Sequence, residues 1–190
     1  MDLVVDSRRK QFDVDNKFND SAEAFRVTNL MTKDEDLVSM GGIGVRRDEG
    51  ILRTLLGSCI GVALYERRLK LVGLAHIVMP NSMGRTDALG KYADTAIPET
   101  IRQLLKVANA QRLELSAKIT GGANMFANVS TISKNSIGEQ NIVAVENALK
   151  KWNIPITARH LGGTSGRRMV VQLPTGVVQI HVVGQTVVEI

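Results

Sequence analysis

The chain has 190 residues, 44% of them hydrophobic, which is enough for one domain with a sizeable core. Its single cysteine, Cys59, excludes an internal disulfide and any paired-cysteine metal site, and His76, His160 and His181 show no ligand spacing, so neither metal nor other cofactor is expected. The net charge of +5 hides an asymmetry: residues 1–50 carry 8 Lys+Arg against 11 Asp+Glu, while 51–190 carry 16 against 8. A basic folded part points to an acidic partner, and 4% aromatic content without basic–aromatic interleaving argues against nucleic acid.

The start, Met1-Asp2-Leu3-Val4-Val5-Asp6, runs into Ser7-Arg8-Arg9-Lys10 with no apolar segment behind the basic cluster, unlike a signal peptide. No apolar run reaches the about 20 residues of a membrane helix. A cytoplasmic chain without membrane insertion is the expectation. Residues 1–38 are charged, rich in Asp, Asn and Ser, and weakly periodic. They read as a flexible N-terminal extension, with a short helix around Ser21 to Val27, ahead of a domain spanning 39–190. A strand is expected from Val38 to Val45, interrupted by Gly41, Gly42 and Gly44.

Two apolar, β-prone runs follow, Leu55 to Tyr65 and Leu69 to Met79, joined by Glu66-Arg67-Arg68. They predict an antiparallel hairpin. Arg-Arg is poor chemistry for a two-residue turn, so a four-residue loop from Glu66 to Leu69 is expected. That register pairs Ile60 with Ala75, Val62 with Gly73 and Leu64 with Leu71, and it sets His76 directly across from Cys59, with Cβ atoms about 5 Å apart. A thiol beside an imidazole is the minimal equipment of a cysteine nucleophile. The competing reading takes Cys59 as a small buried hydrophobe. A three-residue loop would move His76 to the other face.

Pro80 ends the hairpin, and 81–87 is a loop by composition. Ala93, Ile97, Ile101, Leu104, Leu105 and Ala108 share one helical face, with Pro98 expected in the first turn or at a kink. Leu113 to Ile119 alternates as a strand. Ser136 and Glu139 stand at capping-box spacing before a helix with the stripe Ile142, Val143, Val145, Leu149 and Trp152, closed by Asn153 and Pro155. Ile154 to His160, Met169 to Leu173, Val177 to Val183 and Thr186 to Ile190 complete the strands. The class expected is α/β: a mixed, largely antiparallel sheet sandwich with two main helices packed on one face.

Three glycine-rich segments invite motif readings. Gly57-Ser58-Cys59-Ile60-Gly61 has the spacing of a nucleophile elbow, but strand rather than helix follows. Gly41-Gly42-Ile43-Gly44 lacks the third glycine and helix of a dinucleotide fingerprint, and no Lys-Ser/Thr pair follows Gly162 to Gly166. Gly121-Gly122 reads either as a turn or as backbone donors near an oxyanion.

Six blocks occur in order: Leu56-Gly57-Ser58-Cys59, Gly73-Leu74-Ala75-His76-Ile77-Val78-Met79-Pro80, Lys91-Tyr92-Ala93-Asp94, Gly121-Gly122-Ala123-Asn124-Met125-Phe126, Ile137-Gly138-Glu139-Gln140-Asn141 and Gly162-Gly163-Thr164-Ser165-Gly166-Arg167. Over roughly residues 38 to 183 the chain resembles the chemoreceptor glutamine deamidase family, CheD. The resemblance implies a cysteine hydrolase that converts glutamines on the cytoplasmic helices of methyl-accepting chemoreceptors to glutamates, releasing ammonia, with Cys59 as nucleophile and His76 as its histidine. It also implies a threonine on the strand leading to the cysteine. Thr54 is the nearest candidate, although the ungapped position falls on Arg53. Parity in a regular strand favours Arg53 unless a bulge near Gly57 intervenes. Some members of the family bind a CheC-type phosphatase. Two other classes fit the same residues: a non-catalytic module docking on receptors or on such a partner, and a cysteine amidase or transglutaminase acting elsewhere.

Overall fold

The computed structural model describes residues 35–125 and 136–190. The helix expected near Ser21 to Val27, and the flexible character expected of the extension, concern residues outside these. Among the described residues, ten strands form two five-stranded sheets. One has the order β1-β3-β8-β9-β10: Glu35–Leu37, Gly50–Leu56, Arg167–Leu173, Val177–Val182 and Val188–Glu189. The other has the order β2-β5-β4-β6-β7: Ile43–Arg47, Leu71–Ile77, Ile60–Glu66, Leu115–Gly121 and Ile156–Leu161. Ladders β1/β3 and β6/β7 run parallel and the remaining ones antiparallel. The chain is thus the mixed α/β sandwich that its pattern predicts.

The second sheet is the middle layer, and this explains the near-continuous apolar sequences of β4 and β5. Every residue of β5 is buried, because both faces are covered. Ile60, Val62, Leu64, Leu71, Ala75 and Ile77 face α1 (Ala93–Ala108) and α2 (Ile137–Lys151), packing on Ile97, Leu104, Val145 and Leu149. The alternate residues Ala63, Val72 and Leu74 face the first sheet and meet Leu52, Leu56, Met169, Val171 and Ile180, in a cluster that also takes in Cys59. β3 closes that layer with Leu52, Thr54 and Leu56 inward and Leu55 exposed.

The helices obey their sequence signals. Ser136 caps α2: its hydroxyl accepts from the Glu139 N–H at 3.3 Å, while Glu139 Oε2 accepts from the Ser136 N–H at 2.8 Å. Asn153, at φ +53°, follows the helix in the left-handed conformation. In α1, Asp94 accepts from the backbone N–H and the hydroxyl of Ser82 at 2.9 and 2.8 Å, tying the loop after Pro80 to the helix start. Pro98 lies in the second turn rather than the first.

Two expectations need correction. The strand anticipated from Val38 to Val45 begins only at Ile43, as β2; β1 ends at Leu37 in the other sheet, and a turn in which Gly41 adopts φ +71° lies between them. β1 pairs with β3 from Glu35. The run Leu55 to Tyr65 is not one strand either. The chain leaves the first sheet after Leu56 and enters the second at Ile60, so Gly57-Ser58-Cys59 is a crossover between layers.

Candidate active site

Cys59 sits on that crossover, one residue before β4, His76 on β5 and Thr54 on β3. The β4/β5 ladder pairs Ile60 with Ile77, Gly61 with His76, Val62 with Ala75 and Leu64 with Gly73. The register is displaced by two from the expected one, and Gly61, not Cys59, lies across from His76. The cause is the loop. Glu66 still pairs, with Leu71, so the four loop residues are Arg67–Lys70. Glu66 Oε2 accepts the Leu69 N–H at 2.5 Å, and Lys70 takes φ +48°. A shift of two preserves the face. Cys59 lies one residue outside the ladder but packs in the cluster between the two sheets, the side from which His76 reaches Thr54 of the first sheet, so thiol and imidazole look toward the same layer.

Gly61 makes room for this arrangement. A Cβ there would lie 2.6 Å from Met169 Sδ and 2.9 Å from Leu56 Cδ1, so a side chain at this position would have to displace those two core side chains beside His76. Thr54 Oγ1 reaches His76 Nδ1 at 2.7 Å and the Val38 carbonyl at 2.7 Å. A carbonyl only accepts, and a threonine has one hydroxyl hydrogen. Thr54 therefore donates to Val38 and accepts from Nδ1–H. The neutral imidazole carries its proton on Nδ1, and Nε2 presents a lone pair. Nε2 is buried and has no partner among the described residues. Val38 is in turn fixed by its N–H donating to the Arg53 carbonyl at 2.8 Å.

Arg53, the rival position for the threonine, instead pairs its guanidinium with Glu35 at 2.8 Å, its side chain 37% exposed. The parity argument that favoured it assumes one strand from 53 to 59, whereas the crossover resets the facing. Thr54 on β3 and Cys59 on the crossover both face the space between the two sheets.

Burial governs the electrostatics. It pushes the His76 pKa below the ordinary histidine value, with the Val38 carbonyl acting weakly the other way. Burial also raises the Cys59 thiol, opposed by its own backbone N–H. Both shifts favour the uncharged forms, thiol and neutral imidazole.

The crossover is held from the far side. The Gly57 carbonyl accepts from the Ala123 N–H and the Cys59 carbonyl from the Gly122 N–H, each at 2.9 Å. Gly121, at φ +121°, must lack a side chain because a Cβ would run into the Cys59 carbonyl. The double glycine is thus a close backbone approach, neither of whose described bonds points at a substrate. Among the described residues, no three His, Cys, Asp or Glu side chains gather as a metal site requires, and no helix is long and apolar enough to cross a membrane. Sequence reasoning missed Val38 and Gly61. Nothing in the local sequence marks a backbone acceptor such as Val38, and Gly61 could have been found only from the close sheet approach.

A two-sheet α/β protein with an imidazole–hydroxyl pair between its layers and a buried thiol in the same inter-sheet core is what the fold and site define. The family model described as CheD chemotactic sensory transduction matches residues 78–182. The probable chemoreceptor glutamine deamidase CheD of Methanococcus vannielii is 45% identical over 146 residues, 76% of this chain and 92% of that protein. Its counterpart from Pyrococcus abyssi is 37% identical over 156 residues, 80% of this chain and 94% of that protein. The chemoreceptor glutamine deamidase CheD of Thermotoga maritima is 37% identical over 150 residues, 78% of this chain and 92% of that protein. The chain belongs to the CheD family. A matched stretch of 146 residues in a chain of 190 cannot avoid Thr54, Cys59 and His76, although the family model begins after them.

Proposed function

We propose that this protein is a cytoplasmic chemoreceptor glutamine deamidase working through Cys59, His76 and Thr54. The observation that carries the reading is the Thr54 hydroxyl, which accepts from His76 Nδ1–H and so leaves Nε2, without a partner among the described residues, as the basic nitrogen. Family membership supplies the substrate class.

The steps follow from that tautomer. Nε2 takes the Sγ proton as sulfur attacks the side-chain carbonyl carbon of a receptor glutamine. The carbonyl oxygen gains negative charge in a tetrahedral intermediate. The imidazolium then gives its proton to the amide nitrogen, ammonia leaves, and a thioester joins Cys59 to the glutamyl side chain. Neutral again, Nε2 accepts a proton from water as that water attacks the thioester. The products are a glutamate side chain and the restored thiol. Thr54 keeps the ring oriented throughout, and the Val38 carbonyl keeps Thr54 in its accepting role.

Ammonia release from a receptor fragment, together with the mass change of amide to acid, tests the reading. The parent should produce both and Cys59→Ala neither. Equal activity in the alanine variant would remove Cys59 from the mechanism. Binding without deamidation by either protein would leave a docking module.

A further inference from the structure

The β4/β5 and β4/β6 ladders both stop at Ile60. Beyond that rung the backbone N–H and C=O groups must find other partners. The Cys59 carbonyl takes the Gly122 N–H, and the Val78 N–H goes to the Lys91 carbonyl at 2.9 Å. The carbonyls of Ser58 and Val78 remain, one beside the nucleophile and one just past the histidine strand. Both accept from Asn141 Nδ2, each at 3.0 Å. Because carbonyls only accept, the amide's orientation is fixed by these two bonds.

Asn141 is fully buried on the stripe of α2 that also carries Val145 and Leu149. Its Oδ1 is buried without a partner among the described residues. A polar side chain on an apolar stripe, with one polar atom unsatisfied, is an arrangement that packing alone disfavours. In a trans peptide the carbonyl and the following N–H point in opposite directions. Holding the Ser58 carbonyl toward α2 therefore turns the Cys59 N–H away from α2, to the side of the thiol.

We infer that Asn141 is a positioning residue that bridges the Ser58 and Val78 carbonyls just past the last rung and aims the Cys59 backbone N–H at the oxyanion formed during attack. The inference rests on the reading of Cys59 as nucleophile. An N–H that stabilises charge developing on the carbonyl oxygen acts in the transition state and hardly at all in the ground state. The pull of this same N–H on the Cys59 thiol agrees with its direction.

The test uses the full chain and a receptor fragment carrying a target glutamine, with parent, Asn141→Leu, Asn141→Ser and Cys59→Ala assayed well below each melting temperature. Asn141→Leu should lower kcat about 10- to 100-fold while KM stays within about twofold. Iodoacetamide alkylation of Cys59 should shift to higher pH as the N–H loses its aim. Should Asn141→Leu fail to fold, Asn141→Ser, whose hydroxyl can serve one carbonyl, decides by the same split with a smaller loss. A folded variant with parental kcat, or a loss confined to KM, overturns the inference. Cys59→Ala separates the two failures: if it is inactive while Asn141 variants keep parental kcat, only the positioning role is lost, whereas an active Cys59→Ala removes the reading beneath it.

Discussion

Thr54 and His76 meet at 2.7 Å across the gap between two different sheets, and their contact sets which imidazole nitrogen can act as a base. Thr54→Ser retains a hydroxyl and should keep kcat within about threefold. Thr54→Val keeps the shape but strands Nδ1–H and the Val38 carbonyl, with an expected stability loss of about 1–3 kcal/mol. Its kcat should fall about 10- to 100-fold, less than the loss of a general acid–base group itself, because Thr54 acts through the imidazole. Denaturant melts and steady-state ammonia release measure the two effects separately.

Opposite pKa displacements widen the working range in pH. His76 is lowered and must be neutral to accept the thiol proton, so the acid limb of kcat/KM should lie below the ordinary histidine value. Cys59 is raised, so the alkaline limb should lie above the ordinary thiol value. A bell narrower than the two unperturbed values would contradict these placements.

Stability carries the same signs. The His76 contribution is present above the ordinary histidine pKa and is lost as pH falls toward the lowered folded value, because the unfolded chain then binds more protons. The Cys59 contribution is complete below the ordinary thiol pKa and is lost as pH rises toward the raised folded value. Melting temperature against pH should show both slopes, with His76→Asn removing the acid one and Cys59→Ala the alkaline one.

Gly61→Ala tests the sheet approach. The added methyl would press on Met169 Sδ and Leu56 Cδ1, at 2.6 and 2.9 Å. Overpacking of this kind costs about 1–3 kcal/mol. Spreading the sheets also loosens the Thr54–His76 bond, so kcat should drop by about tenfold or more. A stable, fully active Gly61→Ala would show that the gap needs no bare backbone.

The excess of Lys+Arg over Asp+Glu in residues 51–190, 16 against 8, favours an acidic helical substrate. KM for a receptor fragment should rise with ionic strength while kcat changes little. A KM insensitive to salt would rule out electrostatic docking.

Much of this was legible in the sequence because the signals were local. The Ser136–Glu139 box, the α1 stripe and the hairpin are set by residues a few positions apart. The misplaced hairpin loop shifted the register by two, which keeps parity, so His76 kept its face. Strand parity failed at Thr54 because facing is a property of a sheet, and Gly57-Ser58-Cys59 moves the chain from one sheet to the other. The Val38 carbonyl was invisible for a related reason: its role depends on a side chain 16 positions away. Asn141 did leave a trace, as a polar residue four before Val145 on a buried stripe.

Acid-quenched mass spectrometry of the enzyme during turnover tests the central claim most directly. The account predicts the receptor glutamyl group, less ammonia, bound through a hydroxylamine-labile thioester on the peptide containing Cys59, and no such species in His76→Asn. An adduct on any other residue, or parental ammonia release by Cys59→Ala, would contradict it.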